Sequence, residues 1–158
     1  MKFKPYWSLI PLSTVLVAGL GSFFSSNGMD WYDTMLIKPE GLTPEKWVFP
    51  VAWNLIFIAT TLSALLIWNK SKRDARFKWI MGLFGANAVL NVAWSALFFG
   101  MQAIQAAFIE MLFLEASVLA LIILNWKISK TASALLLPYL AWIGFASYLT
   151  YQILLLNS

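Results

Sequence analysis

Residues 31–53 read WYDTMLIKPEGLTPEKWVFPVAW, the one long polar connection in a chain that is otherwise nearly continuous hydrocarbon. This connection follows an apolar run over 6–25 and feeds into a second run, 46–69, headed by Trp47, Val48, Phe49 and Pro50. Each run is long enough to cross a hydrocarbon core, which takes about 20 helical residues. Three more follow at 77–99, 103–126 and 131–156, joined by links of a few residues. Runs of this length exceed a barrel strand and lack its alternation, so they are helices. Short links make consecutive helices antiparallel neighbours. The pattern predicts an all-α membrane protein, a single domain over 1–158 built as a bundle of five transmembrane helices, with a long external loop at 26–45.

Composition points the same way. Of 158 residues, 61% are hydrophobic and 11% charged, and the mean hydropathy is +0.75. A soluble domain carries about 25% charged residues, so this chain has too little polar surface to coat a body in water. The net charge of +4 is not a nucleic-acid footprint, because the basic residues form short clusters between apolar runs. With alternating crossings, nine of the eleven Lys and Arg fall on the N-terminal side: Lys2, Lys4, Lys70, Lys72, Arg73, Arg76, Lys78, Lys127 and Lys130. The positive-inside rule then places the N-terminus in the cytoplasm and the long loop and C-terminus outside, as for a bacterial cytoplasmic membrane. Lys2 and Lys4 ahead of a hydrophobic run resemble a signal peptide. However, the run is long for an h-region and no clear small-residue cleavage site follows, so it reads as a retained helix. Cysteine and histidine are both missing. That excludes disulfides and thiol nucleophiles, and it removes the usual general base and the commonest ligand of metals and haem.

The nine tryptophans divide by position. Trp7, Trp68, Trp79 and Trp126 fall at helix ends on the N-terminal side, as an interfacial belt. Trp31 and Trp47 flank the loop. Trp53, Trp94 and Trp142 lie inside spanning segments, where a belt does not account for them. At a rise of about 1.5 Å per residue, Trp53 lies about 9 Å beyond Trp47, Asn91 about 18 Å from Trp79, and Trp142 about 18 Å from Lys130. Across a core of about 30 Å these residues reach one level in the outer half, below the loop. Asn87, Asn91 and Trp94 share one face of the third helix; Trp142 and Ala146 pair on the fifth, with Tyr139 one turn earlier. Amides in a spanning helix can simply bond neighbouring helices. Aligned with tryptophans at this level, they read instead as polar anchors of an aromatic pocket.

Glu110 and Glu115 lie within the fourth segment, where carboxylates are expensive. Five residues apart, they point about 140° from one another, so they form no acid–base or metal pair. Each reads either as a protonated group bonded to a neighbouring helix or as a functional group. Gly82 and Ala86 form a small-xxx-small pair that suits close helix packing, either within the bundle or between copies. No phosphate-binding loop or metal-ligand spacing is found.

The motifs Asp30-Trp31-Tyr32, Lys38-Pro39, Trp47-Val48-Phe49-Pro50-x-x-Trp53, Asn91-x-x-Trp94, Leu97-Phe98-Phe99-Gly100 and Pro138-Tyr139-Leu140-x-Trp142 resemble, in order, those of the translocator protein family. That family includes the bacterial tryptophan-rich sensory proteins and the peripheral benzodiazepine receptor. The resemblance implies five membrane helices and binding of porphyrins, notably protoporphyrin IX, as ligand rather than required cofactor. It also implies binding of benzodiazepine-type synthetic ligands and, in animal members, cholesterol. By motif, the pocket would involve Tyr32, Trp47, Phe49, Pro50, Trp53, Asn87, Asn91, Trp94, Trp142 and Ala146, and a homodimer would pack through the third helix. This chain departs from the pattern in three places. Leu42 stands where the loop usually has an aromatic residue, and only Pro44 of two prolines precedes Trp47. No basic residue follows Tyr151, which disfavours sterol binding. Glu115 stands where relatives carry a small or neutral side chain. The expected function is a tetrapyrrole-binding membrane protein in porphyrin handling or stress sensing. The alternatives are a lipid or porphyrin transporter or scaffold, and light-dependent porphyrin degradation with Trp53 and Trp142 as the oxidisable residues.

Overall fold

Helix α1 runs without a break from Tyr6 to Thr34, so the boundary placed at residue 25 is corrected, and the connection to the next helix is only 35–47. The polarity of 25–34 reads as loop, but those polar groups are absorbed by the helix itself. Ser25 Oγ donates to Gly21 O at 2.9 Å, Asn27 Nδ2 to Phe23 O at 2.7 Å and Thr34 Oγ1 to Asp30 O at 2.7 Å. This is a computed structural model describing residues 5–158; Lys2 and Lys4, which enter the charge count above, lie outside the described residues. The remaining elements are α2 (Val48–Lys70), α3 (Ala75–Ser95) with a π-helical turn at Ala96–Gly100, α4 (Ile104–Trp126), α5 (Lys130–Ala134) and α6 (Leu137–Leu156). The described residues are all-helical as expected, with five spans among them long and apolar enough to cross a membrane.

The fifth span differs from the single helix expected over 131–156. It is α5 and α6 separated at Leu135 and Leu136. Pro138 has no N–H to bond the carbonyl of Ala134, and the turn tightens, with Leu136 N–H bonding Ser133 O at 3.0 Å. Asp74 caps α3 by accepting from the Phe77 N–H at 2.9 Å. Ser129 caps α5 by accepting from the Ala132 N–H at 3.3 Å.

Around α4 the bundle is solid toward the end that holds the α2–α3 and α4–α5 links. There Ile67, Ile80, Leu114, Val118, Leu121 and Leu136 are fully buried against one another. Polar groups in this half bond neighbouring helices: Ser63 Oγ donates to Ala132 O at 2.7 Å and Ser133 Oγ to Ile122 O at 2.9 Å. The outward faces carry exposed leucine, isoleucine and valine, such as Leu9, Leu16, Leu55, Leu62, Val89 and Ile123. Such a surface suits hydrocarbon rather than water. Of the belt tryptophans, Trp79 is 78% exposed, whereas Trp68 is packed against Tyr6 and Phe77 with the Arg73 guanidinium 4.8 Å above it.

Toward the loop end, α1 meets the π turn at backbone distance. A Cβ on Gly28 would stand 2.5 Å from Phe99 O and 2.7 Å from Phe99 Cβ, so only glycine fits. The π turn, closed by Met101 N–H to Ala96 O at 2.8 Å, turns Phe98 and Phe99 toward Tyr32, with centroids 6.2 and 5.9 Å away. Gly28→Ala should therefore destabilise the protein by about 1–3 kcal/mol through overpacking. The same change at Gly82, where a Cβ meets nothing within 4 Å, should be neutral or slightly stabilising. Thermal unfolding of both variants in one detergent checks this; equal midpoints would remove the close approach as a constraint.

Candidate functional site

The connection 35–47 is fastened at three points. Lys38 Nζ donates to Tyr32 O at 2.9 Å and Asp33 O at 3.3 Å, the carbonyls left open at the end of α1, and lies 4.7 Å above the Tyr32 ring. The Asn157 side chain, just past the end of α6, accepts from Ile37 N–H at 3.0 Å and donates to Ile37 O at 2.9 Å. Lys46 Nζ pairs with Asp33 Oδ2 at 2.7 Å. Gly41, with φ +69°, makes the reversal that an L side chain would strain.

Beneath this cap lies a cavity of about 990 Å³. Helix α1 contributes Tyr32, and the start of α2 contributes Trp47, Phe49, Pro50 and Trp53. Helix α3 contributes Asn91 and Trp94, and α6 contributes Trp142 and Ala146. Nine of the ten residues named from the sequence therefore surround one space. Trp47 is 63% exposed, its indole N–H held by Glu45 Oε2 at 2.9 Å, so it forms rim rather than wall. The wall is a run of touching rings. Trp53 stands 6.4 Å from Trp94 and stacks on Phe57 at 5.7 Å. Trp94 stacks on Phe98 at 5.4 Å, and Phe49 meets Trp142 edge-on at 5.9 Å. Tyr32 Oη, Trp94 Nε1 and Trp142 Nε1 are buried with no partner among the described residues. Lys38, Lys46, Asp33 and Glu45 stand at the mouth.

Asn87 is the residue the structure separates from the others. Its amide donates to Ser117 Oγ at 2.8 Å and accepts from Tyr139 Oη at 3.3 Å, joining α3 to α4 and α6. Asn91 Nδ2 donates to the same Tyr139 hydroxyl at 3.1 Å, while its side chain also borders the cavity. Both amides thus bond a neighbouring helix, and Asn91 also borders the cavity. Ser95, Phe98, Phe99, Leu149 and Thr150 also line the cavity and were not singled out as site residues. The signal was available for two of them, because Asn91, Ser95 and Phe98 continue one helical face at i, i+4 and i+7. Trp31 lies on α1 and packs edge-on against Phe98 at 5.7 Å.

The two carboxylates of α4 stay apart. Glu110 is buried, and neither of its oxygens has a partner among the described residues. Glu115 accepts from Ser147 Oγ at 3.4 Å. No group of carboxylates among the described residues could hold a metal ion.

The profile of the TspO/MBR family matches residues 9–156. The chain is 38% identical over 139 residues to the tryptophan-rich protein TspO of Chlorobaculum tepidum, covering 87% of this chain and 86% of that one. It is 36% identical over 148 residues to the protein of the same name from Archaeoglobus fulgidus, covering 93% and 94%. It is 30% identical over 142 residues to the translocator protein of Homo sapiens, covering 86% and 83%.

Asn157→Ala removes both bonds to Ile37. At about 0.5–1.5 kcal/mol for each net bond, amide exchange across 36–46 should accelerate roughly tenfold while exchange in α4 is unchanged. Equal protection of the loop in both proteins would show that the clip does not hold it.

Proposed function

The chain belongs to the TspO/MBR family, and from that premise we propose that it is a multi-pass membrane protein whose loop-side cavity binds a tetrapyrrole such as protoporphyrin IX, in porphyrin handling or stress sensing. The observation that carries this reading is the single large hollow walled by Trp53, Trp94 and Trp142. Ligand pockets span about 300–1,000 Å³, and this one lies at the upper end, where a flat macrocycle suits it better than a single ring does. Indole faces stack on any extended π-system with little directional demand. The unpartnered indole N–H groups of Trp94 and Trp142 are donors only, and Lys38 and Lys46 at the mouth are cations. A ring with carboxylate edges offers acceptors to both. Benzodiazepine-type synthetic ligands would compete for the same space.

A second reading is light-dependent porphyrin oxidation, with dioxygen as oxidant and the excited ring supplying the reactivity. It is favoured by Trp53, whose indole borders the cavity and touches further rings on three sides: Phe57, Trp94 and Tyr139. A redox-active side chain in contact with both ligand and neighbouring rings is the arrangement such chemistry needs.

Titration with protoporphyrin IX, followed by tryptophan fluorescence, should give saturable quenching at micromolar affinity or tighter; the absence of saturation would refute the binding reading. Under illumination, Trp53→Phe or Trp142→Phe should slow product formation roughly tenfold, a barrier change of about 1.4 kcal/mol, with a smaller effect on binding. Trp79→Phe, on the exposed surface, is the control. If product forms no faster than from porphyrin in detergent alone, the oxidation reading fails and the binding reading stands.

The clusters Lys70–Lys78 and Lys127–Lys130 share one end of the bundle, and the positive-inside rule puts that end in the cytoplasm. Because the chain has no cysteine, single substitutions report topology directly. In intact bacterial cells, Glu40→Cys should react with a membrane-impermeant maleimide and Lys72→Cys should react only after lysis. The reverse pattern would invert the orientation.

A further inference from the structure

A second cavity, of about 220 Å³, lies between α1, α2 and α3 on the side away from the loop. It meets the large cavity only at Phe57 and Asn91, which border both. Its chemistry differs from that of its neighbour. The mouth of the large cavity carries two lysines and two carboxylates, whereas the lining of the small one contains no Asp, Glu, Lys or Arg. Most of its wall is apolar, including Ile10, Val17, Ile56, Met81 and Phe84. Ser13 and Gly85 in that lining are exposed, so the cavity opens on the flank of the bundle. Gly85 lies about 15 Å along α3 from Ala75, near the middle of a core of about 30 Å. The opening therefore faces lipid chains.

Two polar features set what could occupy it. Thr14 and Thr61 satisfy each other at 2.7 Å, but the Thr60 hydroxyl is buried with no partner among the described residues. Asn91 spends an N–H on Tyr139, and no described residue donates to its carbonyl oxygen. Ser13, Thr14, Thr61, Asn87 and Tyr139, also in the lining, bond within the protein, so the Thr60 hydroxyl and the Asn91 amide oxygen are the groups left without a described partner. An anion here would lose its hydration with no cation to receive it. A plain hydrocarbon chain would leave the Thr60 hydroxyl unsatisfied.

We propose that this cavity is a second binding site, for a small neutral amphiphile with one hydroxyl and a short apolar chain, reaching it sideways from the bilayer. A ligand hydroxyl both donates and accepts, which matches an open amide oxygen and an open threonine hydroxyl. The chain fills the apolar remainder. The site does not depend on the porphyrin reading, since it shares only two bordering side chains with the large cavity.

The test uses the full chain in lipid nanodiscs and octan-1-ol carrying a diazirine near its tail, with photolabelled residues identified by peptide mass spectrometry. Label should concentrate within 56–64 and 81–88, and excess octan-1-ol should compete it away at least ten times more effectively than octanoate at neutral pH. Gly85→Leu, placed at the mouth where a Cβ meets nothing within 4 Å, should cut labelling at least fivefold with an unchanged unfolding midpoint. Thr60→Val keeps the shape and removes the hydroxyl. It should weaken competition by octan-1-ol at least threefold while leaving labelling by a diazirine-bearing octane unchanged. Label spread evenly over the exposed leucines, octanoate competing as well as octan-1-ol, or labelling in Gly85→Leu equal to wild type would each overturn the proposal.

Discussion

The hydroxyl of Tyr139 stands between two amides, and much of the architecture follows from that placement. Asn91 donates to it, it donates to Asn87, Asn87 donates to Ser117, and Ser117 donates to the carbonyl of Leu114 at 2.7 Å. Each hydroxyl has one proton, so the direction of the chain is fixed along its length. Buried in a span, none of these groups can turn to water instead, and each missing link would leave a polar group unsatisfied in a medium that does not compensate it. The relay holds α3, α4 and α6 in one register. It also marks the level at which the bundle changes character.

On one side of that level the helices interdigitate through aliphatic side chains; on the other, aromatic rings replace them. The large hollow below the loop lies on the aromatic side. The cap over that hollow combines polar ties to helix ends, by Lys38, Lys46 and Asn157, with apolar packing of Leu36 and Leu42 against Tyr32, Phe98 and Leu149. The ties made by Lys46 and Asn157 are exposed and individually modest.

Helix α1 is the least embedded span. Its anchor at the loop end is the contact of Gly28 with Phe99, made possible by the π turn that interrupts α3. Nearer its start, the hydroxyl pair Thr14–Thr61 and the bond from Tyr6 Oη to Asn69 Oδ1 at 2.6 Å hold it to α2 at intervals. A helix pinned at points, not along a continuous seam, leaves space beside it, and the second cavity is that space.

Hydrophobicity and spacing are local properties, and they determined what is local here. The number of spans, their antiparallel order and the level shared by Trp53, Asn91, Trp94 and Trp142 all follow from run lengths and a fixed rise per residue. What those quantities cannot carry is a contact between residues distant in the chain. Residues 25–34 look like loop by polarity, and they stay helical in a structure where Gly28 and Tyr32 have the π turn to pack against. Asn87 and Asn91 are equivalent by spacing; Ser117 on α4 takes one, and the cavity edge receives the other. The run 131–156 reads as one helix, but Pro138 lacks the N–H that would bond Ala134 O, and the turn before it tightens to separate α5 from α6. The sequence by itself determined a five-span membrane bundle with aromatic residues gathered at one depth. Only the tertiary structure decided where that bundle is solid and where it is hollow, because a cavity is defined by the side chains that fail to meet across it.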